Sequence, residues 1–345
     1  MTSKQRYLAA IGGQGRDRAP VTPIFMAWAA HYVGRSYRDF YLDGDVLVEA
    51  QLAVIRAFGV DQISAISDPW RESSAYGMEF DYPPEGVGRP RGHVLETAED
   101  FEKLGPLDFD AAPRVRQRIE SVARMAAEVG ETHSVLGWVE GPMAQYADLR
   151  GMETAMIDLI DAPEMFARAA EVLVDNGVEF ARRQIAAGAD TVGVGDAAAS
   201  LIGPGLYRQH VLPWEKRLFA GIHEAGGLVK LHICGNINEI LADAATTGAD
   251  VIDLDWMVPV GRSREVVGPE VCLCGNFDPA AVLLRGSPED VADAARKCIA
   301  DGGDRFILQP GCEVPPDTPE ENIRAFCPSQ GCLIADALRD LRGAR

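Results

Sequence analysis

The feature that most constrains this chain is an alternation. Short apolar runs bounded by turn residues are separated by longer amphipathic stretches with helical periodicity. The runs that read as strands are Val21–Ala27, Gln62–Ser67, Ser134–Val139, Thr191–Gly195, Leu228–Cys234, Val251–Asp255, Val271–Gly275 and Phe306–Gln309. Between them lie helical patterns at Val46–Phe58, Pro163–Ala187, Gly205–Ala225, Asn238–Thr247, Pro288–Asp301 and Thr318–Arg342, the last interrupted near Pro328 and Gly331. Several open with a capping residue followed by proline, as in Ser287-Pro288 and Thr318-Pro319, which suits a first helical turn. Eight strands alternating with helices predict an α/β fold, a parallel (β/α)8 TIM barrel, over residues 1–345 as one domain. The segment Gly77–Leu104 breaks the rhythm and reads as an inserted hairpin or lid after strand two. A doubly wound open sheet competes, but no glycine-rich dinucleotide loop follows the first strand.

A barrel carries its functional residues at the C-terminal ends of its strands. Composition narrows what they can act on. A net charge of -19 disfavours nucleic acid, which needs clustered lysine and arginine. No apolar run reaches the roughly 20 residues that span a bilayer, and the start of the chain lacks the apolar core of a signal peptide. A cytoplasmic location is the expectation. The seven cysteines then read as reduced thiols, each a core residue, a metal ligand or a nucleophile.

Two of them stand out. His232 and Cys234 end the fifth strand two positions apart, so they point to one side. Cys312 follows the eighth strand in a Gln-Pro-Gly-Cys loop where a structural cysteine has little to pack against. A His-x-Cys pair alone is common in cores. Here it ends a strand before a Gly-Asn turn, and Lys230 on the same face does not suit a dry interior. One imidazole and two thiolates suit zinc better than magnesium or calcium, and three ligands leave a fourth position open, as in a catalytic site. Cys272 and Cys274 form a rival pair that reads better as strand core, and Cys298, Cys327 and Cys332 read as core or surface residues. Asp68, Glu140, Asp196 and Asp255 gather at the same rim. Each alone is a common helix cap, but together they offer acid, base or orienting groups; Glu140 and Asp255 are the catalytic candidates. Asp68, Asp196, Trp28, His31, Tyr76 and Tyr146 are candidates to line a substrate pocket. His93, His133, His210 and His223 have no supporting pattern.

These segments, taken in order, resemble the uroporphyrinogen decarboxylase superfamily over nearly the whole chain. The resemblance is carried by Pro23-Ile24-Phe25-Met26 followed by Tyr32, by Ile66-Ser67-Asp68, and by Ala75-Tyr76-Gly77-Met78-Glu79-Phe80. Gly275-Asn276-Phe277-Asp278-Pro279 and Thr318-Pro319-Glu320-Glu321-Asn322 continue it. The resemblance implies a (β/α)8 barrel. In that family, decarboxylases carry two arginines in the first loop that grip carboxylates; Ala27 and His31 occupy the matching places here. His232, Cys234 and Cys312 instead match the zinc-dependent cobamide methyltransferase branch, as does Leu254-Asp255-Trp256. That branch implies methyl transfer to or from the cobalt of a corrinoid (cobalamin) supplied by a separate corrinoid protein, with Zn2+ as the resident metal.

Three functions therefore compete. The first is a zinc-dependent methyltransferase acting between a corrinoid and a small methyl donor or acceptor. The second is a metal-free porphyrinogen decarboxylase using Asp68, and the third is a non-catalytic tetrapyrrole- or corrinoid-binding protein. The sequence leaves open the substrate (a thiol such as coenzyme M, tetrahydrofolate, a methoxylated aromatic or a methylamine derivative), the direction of transfer, the fourth zinc ligand, and whether the chain forms a homodimer.

Overall fold

The structure, a computed structural model, describes residues 1–329 and 333–335. Seven parallel strands form one curled sheet in the order β1 (Gln62–Ser64), β4 (Ser134–Glu140), β5 (Thr191–Gly195), β6 (Leu228–Ile233), β7 (Val251–Leu254), β8 (Cys272–Phe277) and β9 (Phe306–Pro310). A separate antiparallel ribbon pairs β2 (Phe80–Asp81) with β3 (Arg89–Pro90). The fold is a (β/α)8-type barrel with helices around the sheet.

The expected first strand, Val21–Ala27, shrinks to one parallel bridge between Val21 and Leu308. Pro20 and Pro23 flank it, and proline has no N–H to give a ladder. The bridge still joins the sheet's two edges. Thr22 donates its backbone N–H to Leu308, and Asp61, just ahead of β1, donates to Val21. Ala27 already begins a short helix, Ala27–Tyr32.

The long helices fall where periodicity places them. Gly44–Phe58 starts at Asp43, whose side chain accepts the Asp45 N–H, and Pro163–Ala186 runs for 24 residues. Two expected helices are cut. Asn238–Thr247 reduces to Leu241–Ala244, because the Asn236 side chain accepts the Asn238 N–H and holds a turn there. Gly205–Ala225 is interrupted by a π-helical turn at Tyr207–Val211, next to Pro213. The Thr318–Arg342 pattern gives a helix at Glu320–Phe326; Gly331, Cys332 and the stretch from residue 336 onward lie outside the described residues.

The hairpin after the second expected strand is the β2–β3 ribbon. Phe80 packs on Trp70, which ties the ribbon to the loop after β1, and Tyr82 packs on Tyr41 of the helix Tyr37–Leu42. Inside the barrel, Ile24, Ile66, Leu136 and Trp138 form a compact apolar cluster under the C-terminal rim. Trp138 lies flat there because β5 supplies glycine beside it. A Cβ on Gly193 would meet the Trp138 ring at 2.3 Å, and one on Gly195 at 2.7 Å.

Candidate metal centre and pocket

Alternation along β6 turns Lys230, His232 and, just past its end, Cys234 to the barrel interior. Gly235 then takes a left-handed conformation (φ +89°), and its N–H donates to Asp255. Cys312 arrives two residues after β9. The loop carrying it can lie against the β7 loop because Gly311 has no side chain: a Cβ there would sit 2.3 Å from the Trp256 nitrogen. His232 Nε2 is 3.0 Å from Cys234 Sγ and 3.9 Å from Cys312 Sγ, and the two sulfurs are 3.9 Å apart. Ligands on a tetrahedral zinc, with bonds near 2.05 Å to nitrogen and 2.3 Å to sulfur, would be about 3.6–3.8 Å apart. The donor set fits that ion, and the two distances to Cys312 lie close to this spacing; the His232–Cys234 pair, at hydrogen-bond distance, would open by about 0.6 Å on binding it. Among the described residues, no other group of three histidine, cysteine or carboxylate ligands converges in this way.

Behind the triad sits a buried polar relay. Register pairs His232 with Asp253 on β7. Asp253 Oδ2 lies 3.4 Å from His232 Nδ1 and 3.3 Å from Lys230 Nζ. Lys230 donates to Gln309 Oε1 at 2.7 Å, and Gln309 Nε2 donates to Asp253 Oδ1 at 2.6 Å. Asp253 faces Nδ1 at ion-pair distance without completing a hydrogen bond to it, and Nε2 faces the thiols, a disposition from which a carboxylate can orient a ligating histidine. Burial alone would raise the Asp253 pKa, but Lys230 and His232 outweigh it and keep the carboxyl ionised. Burial would likewise lower the His232 pKa; the charges of Cys234 and Asp253 push it well up. Hydrogen bonding from Cys234, then His232, holds the Cys312 thiol down to about 4 against the effect of burial, while Cys234 is pushed up by its bond to Cys312 and by burial. The three groups thus titrate as one coupled, proton-sharing set.

The triad opens into a cavity of about 170 Å³. Five of the residues expected at the rim line it: Asp68, Glu140, His232, Cys234 and Cys312. Asp68 is already engaged, accepting from Arg114 Nη2 at 2.7 Å and Ser67 Oγ at 2.8 Å; burial would raise its pKa, but Arg114 and Arg71 keep it low. Glu140 accepts from Trp138 Nε1 at 2.9 Å, and burial, then Glu72 and Asp148, push its carboxyl well above the usual range. Glu313, next to Cys312, also lines the cavity; burial raises it to about 7. Trp138, Glu313 and Asp253 were not singled out from sequence. The available signal was alternation: Trp138 shares the phase of Glu140, and Asp253 that of Asp255.

A model of the uroporphyrinogen decarboxylase (URO-D) family matches residues 2–329. This chain belongs to the uroporphyrinogen decarboxylase family. Two kinds of URO-D relative are similar to it. The methylcobamide:CoM methyltransferase MtaA of Methanosarcina barkeri is 25% identical, over 94% of this chain and 96% of its own length. MtbA of Methanosarcina acetivorans, also a methylcobamide:CoM methyltransferase, is 26% identical with the same shares covered. Uroporphyrinogen decarboxylase of Nostoc punctiforme is 30% identical, over 92% of this chain and 93% of its own length. A solved methyltransferase from Methanosarcina mazei shares the fold, with a TM-score of 0.82, 24% identity and 98% of both chains covered.

The remaining rim candidates of this URO-D chain lie outside the cavity lining. Trp28 is buried, its Nε1 donating to the Thr318 carbonyl, and His31 is exposed beside Glu85. Tyr76 accepts from Asn176, and the buried Tyr146 donates to Asp158. Asp196 accepts the Met143 and Ala144 N–H groups and so caps the helix Pro142–Arg150. Asp255 accepts from Gly235 and Met257, which fixes the two loops flanking Cys234. Cys272 and Cys274 are packed with Tyr7, Val251 and Ile307 in a separate buried cluster. No helix of the described residues is long and apolar enough to cross a membrane.

Proposed function

We propose that this chain is a zinc-dependent methyltransferase that moves a methyl group between a small substrate and the cobalt of a corrinoid held by a separate corrinoid protein. The observation that carries this reading is the convergence of one imidazole and two thiols, His232, Cys234 and Cys312, within 4.8 Å of one another at the cavity. The names of the methylcobamide:CoM methyltransferase relatives support it. Zinc at these three ligands would supply a lowered pKa for a thiol, or Lewis acidity toward the heteroatom of a methyl donor.

The chain's own residues do the rest. Asp253 orients His232, and Lys230 and Gln309 hold Asp253. Asp255 fixes the Cys234 loop through Gly235. Glu140 stands in the cavity as a carboxyl, held by the Trp138 indole, that can hydrogen-bond or pair with the substrate. Apolar walls from Ile24, Met26, Ile66 and Trp138 exclude water from the reacting end.

A decarboxylase reading fits the cavity poorly. No arginine or lysine lines it among the described residues, so a polycarboxylate would find no cation to hold it. The deciding experiment is a donor and acceptor screen with free cobalamin, following the spectral change between cob(I)alamin and methylcobalamin. Turnover with one methyl compound, lost in Cys312→Ser, supports the proposal. Conversion of uroporphyrinogen to coproporphyrinogen with no methyl transfer overturns it.

A further inference from the structure

The cavity is lopsided in charge. Besides the triad, its ionisable residues are Asp68, Glu140 and Glu313, all carboxyls. Arg114 neutralises Asp68. The other two make no ion pair among the described residues. Glu140 accepts from the Trp138 indole, and Glu313 Oε1 accepts from the Ala27 N–H at 3.1 Å. The buried guanidiniums behind them, Arg71 and Arg118, pair with Asp68 and Glu72, and neither lines the cavity.

The sheet fixes where Glu140 stands relative to the triad. Glu140 is in register with Gly195, and Gly195 with His232. Two strand spacings put their backbones about 10 Å apart, and the intervening residue has no side chain to fill the gap. Trp138 floors that gap, packed on Gly193 and Gly195. A substrate held by its sulfur at the triad would therefore direct its far end at a carboxyl and an indole. An anionic end there would be buried beside Glu140 and Glu313 without a counterion, which is costly. A cationic end would find a carboxylate partner and an aromatic ring that attracts it.

We infer that the small substrate is an aminothiol or its S-methyl derivative, its sulfur at His232, Cys234 and Cys312 and its ammonium at Glu140 and Trp138. This inference rests on the zinc-site reading above. It separates the chain from relatives named for coenzyme M, a thiol whose other end is a sulfonate.

Three thiols with one two-carbon frame test it: 2-aminoethanethiol, 2-mercaptoethanol and 2-mercaptoethanesulfonate. Calorimetric titration of each into the zinc-loaded full chain should show the aminothiol binding at least about tenfold tighter than the neutral thiol, with the sulfonate weakest. Glu140→Gln should bring the aminothiol to within about twofold of 2-mercaptoethanol. Zinc content measured on the same samples separates the two levels of the argument. Zinc-loaded protein that binds all three alike, prefers the sulfonate, or keeps its preference in Glu140→Gln overturns this proposal alone. Protein that retains no zinc overturns the reading on which it stands.

Discussion

Replacing Asp253 by asparagine removes a charge that two neighbours share, and the two consequences can be measured apart. Asp253 Oδ2 stands 3.3 Å from Lys230 Nζ and 3.4 Å from His232 Nδ1. The side chains of Lys230 and Asp253 are only 1% and 0% exposed, so Asp253→Asn leaves a buried ammonium without its counterion. Breaking such a pair from one side costs about 3–5 kcal/mol. Adding Lys230→Met removes the stranded charge, so the double variant should regain most of that stability. The metal effect is separate. Loss of the carboxylate that orients a ligating histidine should lower zinc affinity about 10- to 100-fold, which is about 1.4–2.8 kcal/mol. Urea unfolding of the metal-free proteins reads the first quantity, and competition with a chromophoric chelator reads the second. Stability should return in Asp253→Asn/Lys230→Met while zinc affinity stays low. A double variant that binds zinc within about twofold of wild type would refute the assignment of Asp253 to His232.

Three further outcomes are expected. Gly193→Ala places a Cβ 2.3 Å from the Trp138 ring; overpacking of that kind costs about 1–3 kcal/mol, so thermal unfolding should show a lowered Tm and the indole emission should shift. The buried pair Asp196 and Glu215 is raised by burial, Asp196 from 3.8 to about 7. A raised carboxyl stabilises the fold fully below its unfolded pKa and loses that contribution as pH climbs through its folded value. The Tm should therefore fall between about pH 4 and pH 7, and Glu215→Gln, which keeps an acceptor for the Tyr207 hydroxyl, should flatten the fall; parallel curves for the two proteins would contradict this. Asp68→Asn removes the charge shared by the partly buried Arg114 and the buried Arg71 and should destabilise the fold in chemical denaturation by about 3 kcal/mol or more; an unchanged midpoint would show that the carboxylate holds nothing in place.

Much of the fold was legible because the signals were local. Thr191–Gly195 is a strand with the expected bounds, since a short apolar run between turn residues has few alternatives. The first strand was misjudged because its apolar pattern spoke louder than the two prolines that deprive it of donors. The Asn238 helix was misjudged because an asparagine turn competes with helix start-up. At the site, strand alternation sufficed to group His232, Cys234 and Cys312, while Asp253 was hidden in the run Val-Ile-Asp-Leu-Asp. Its partnership with His232 depends on the register between β6 and β7, which no single strand encodes. The aromatic candidates Trp28, Tyr76 and Tyr146 stood near strand ends in the sequence, but their polar tips were claimed by Thr318, Asn176 and Asp158. Those pairings are long-range and left no pattern to read.

The central claim is the metal centre, and X-ray absorption at the zinc edge tests it most directly. Purified protein should carry about one zinc per chain, with one nitrogen near 2.0 Å and two sulfurs near 2.3 Å in its first shell, and Cys312→Ser should lose a sulfur or the metal altogether. A zinc-free protein that still transfers methyl groups, or a shell made only of oxygen and nitrogen, would contradict the account.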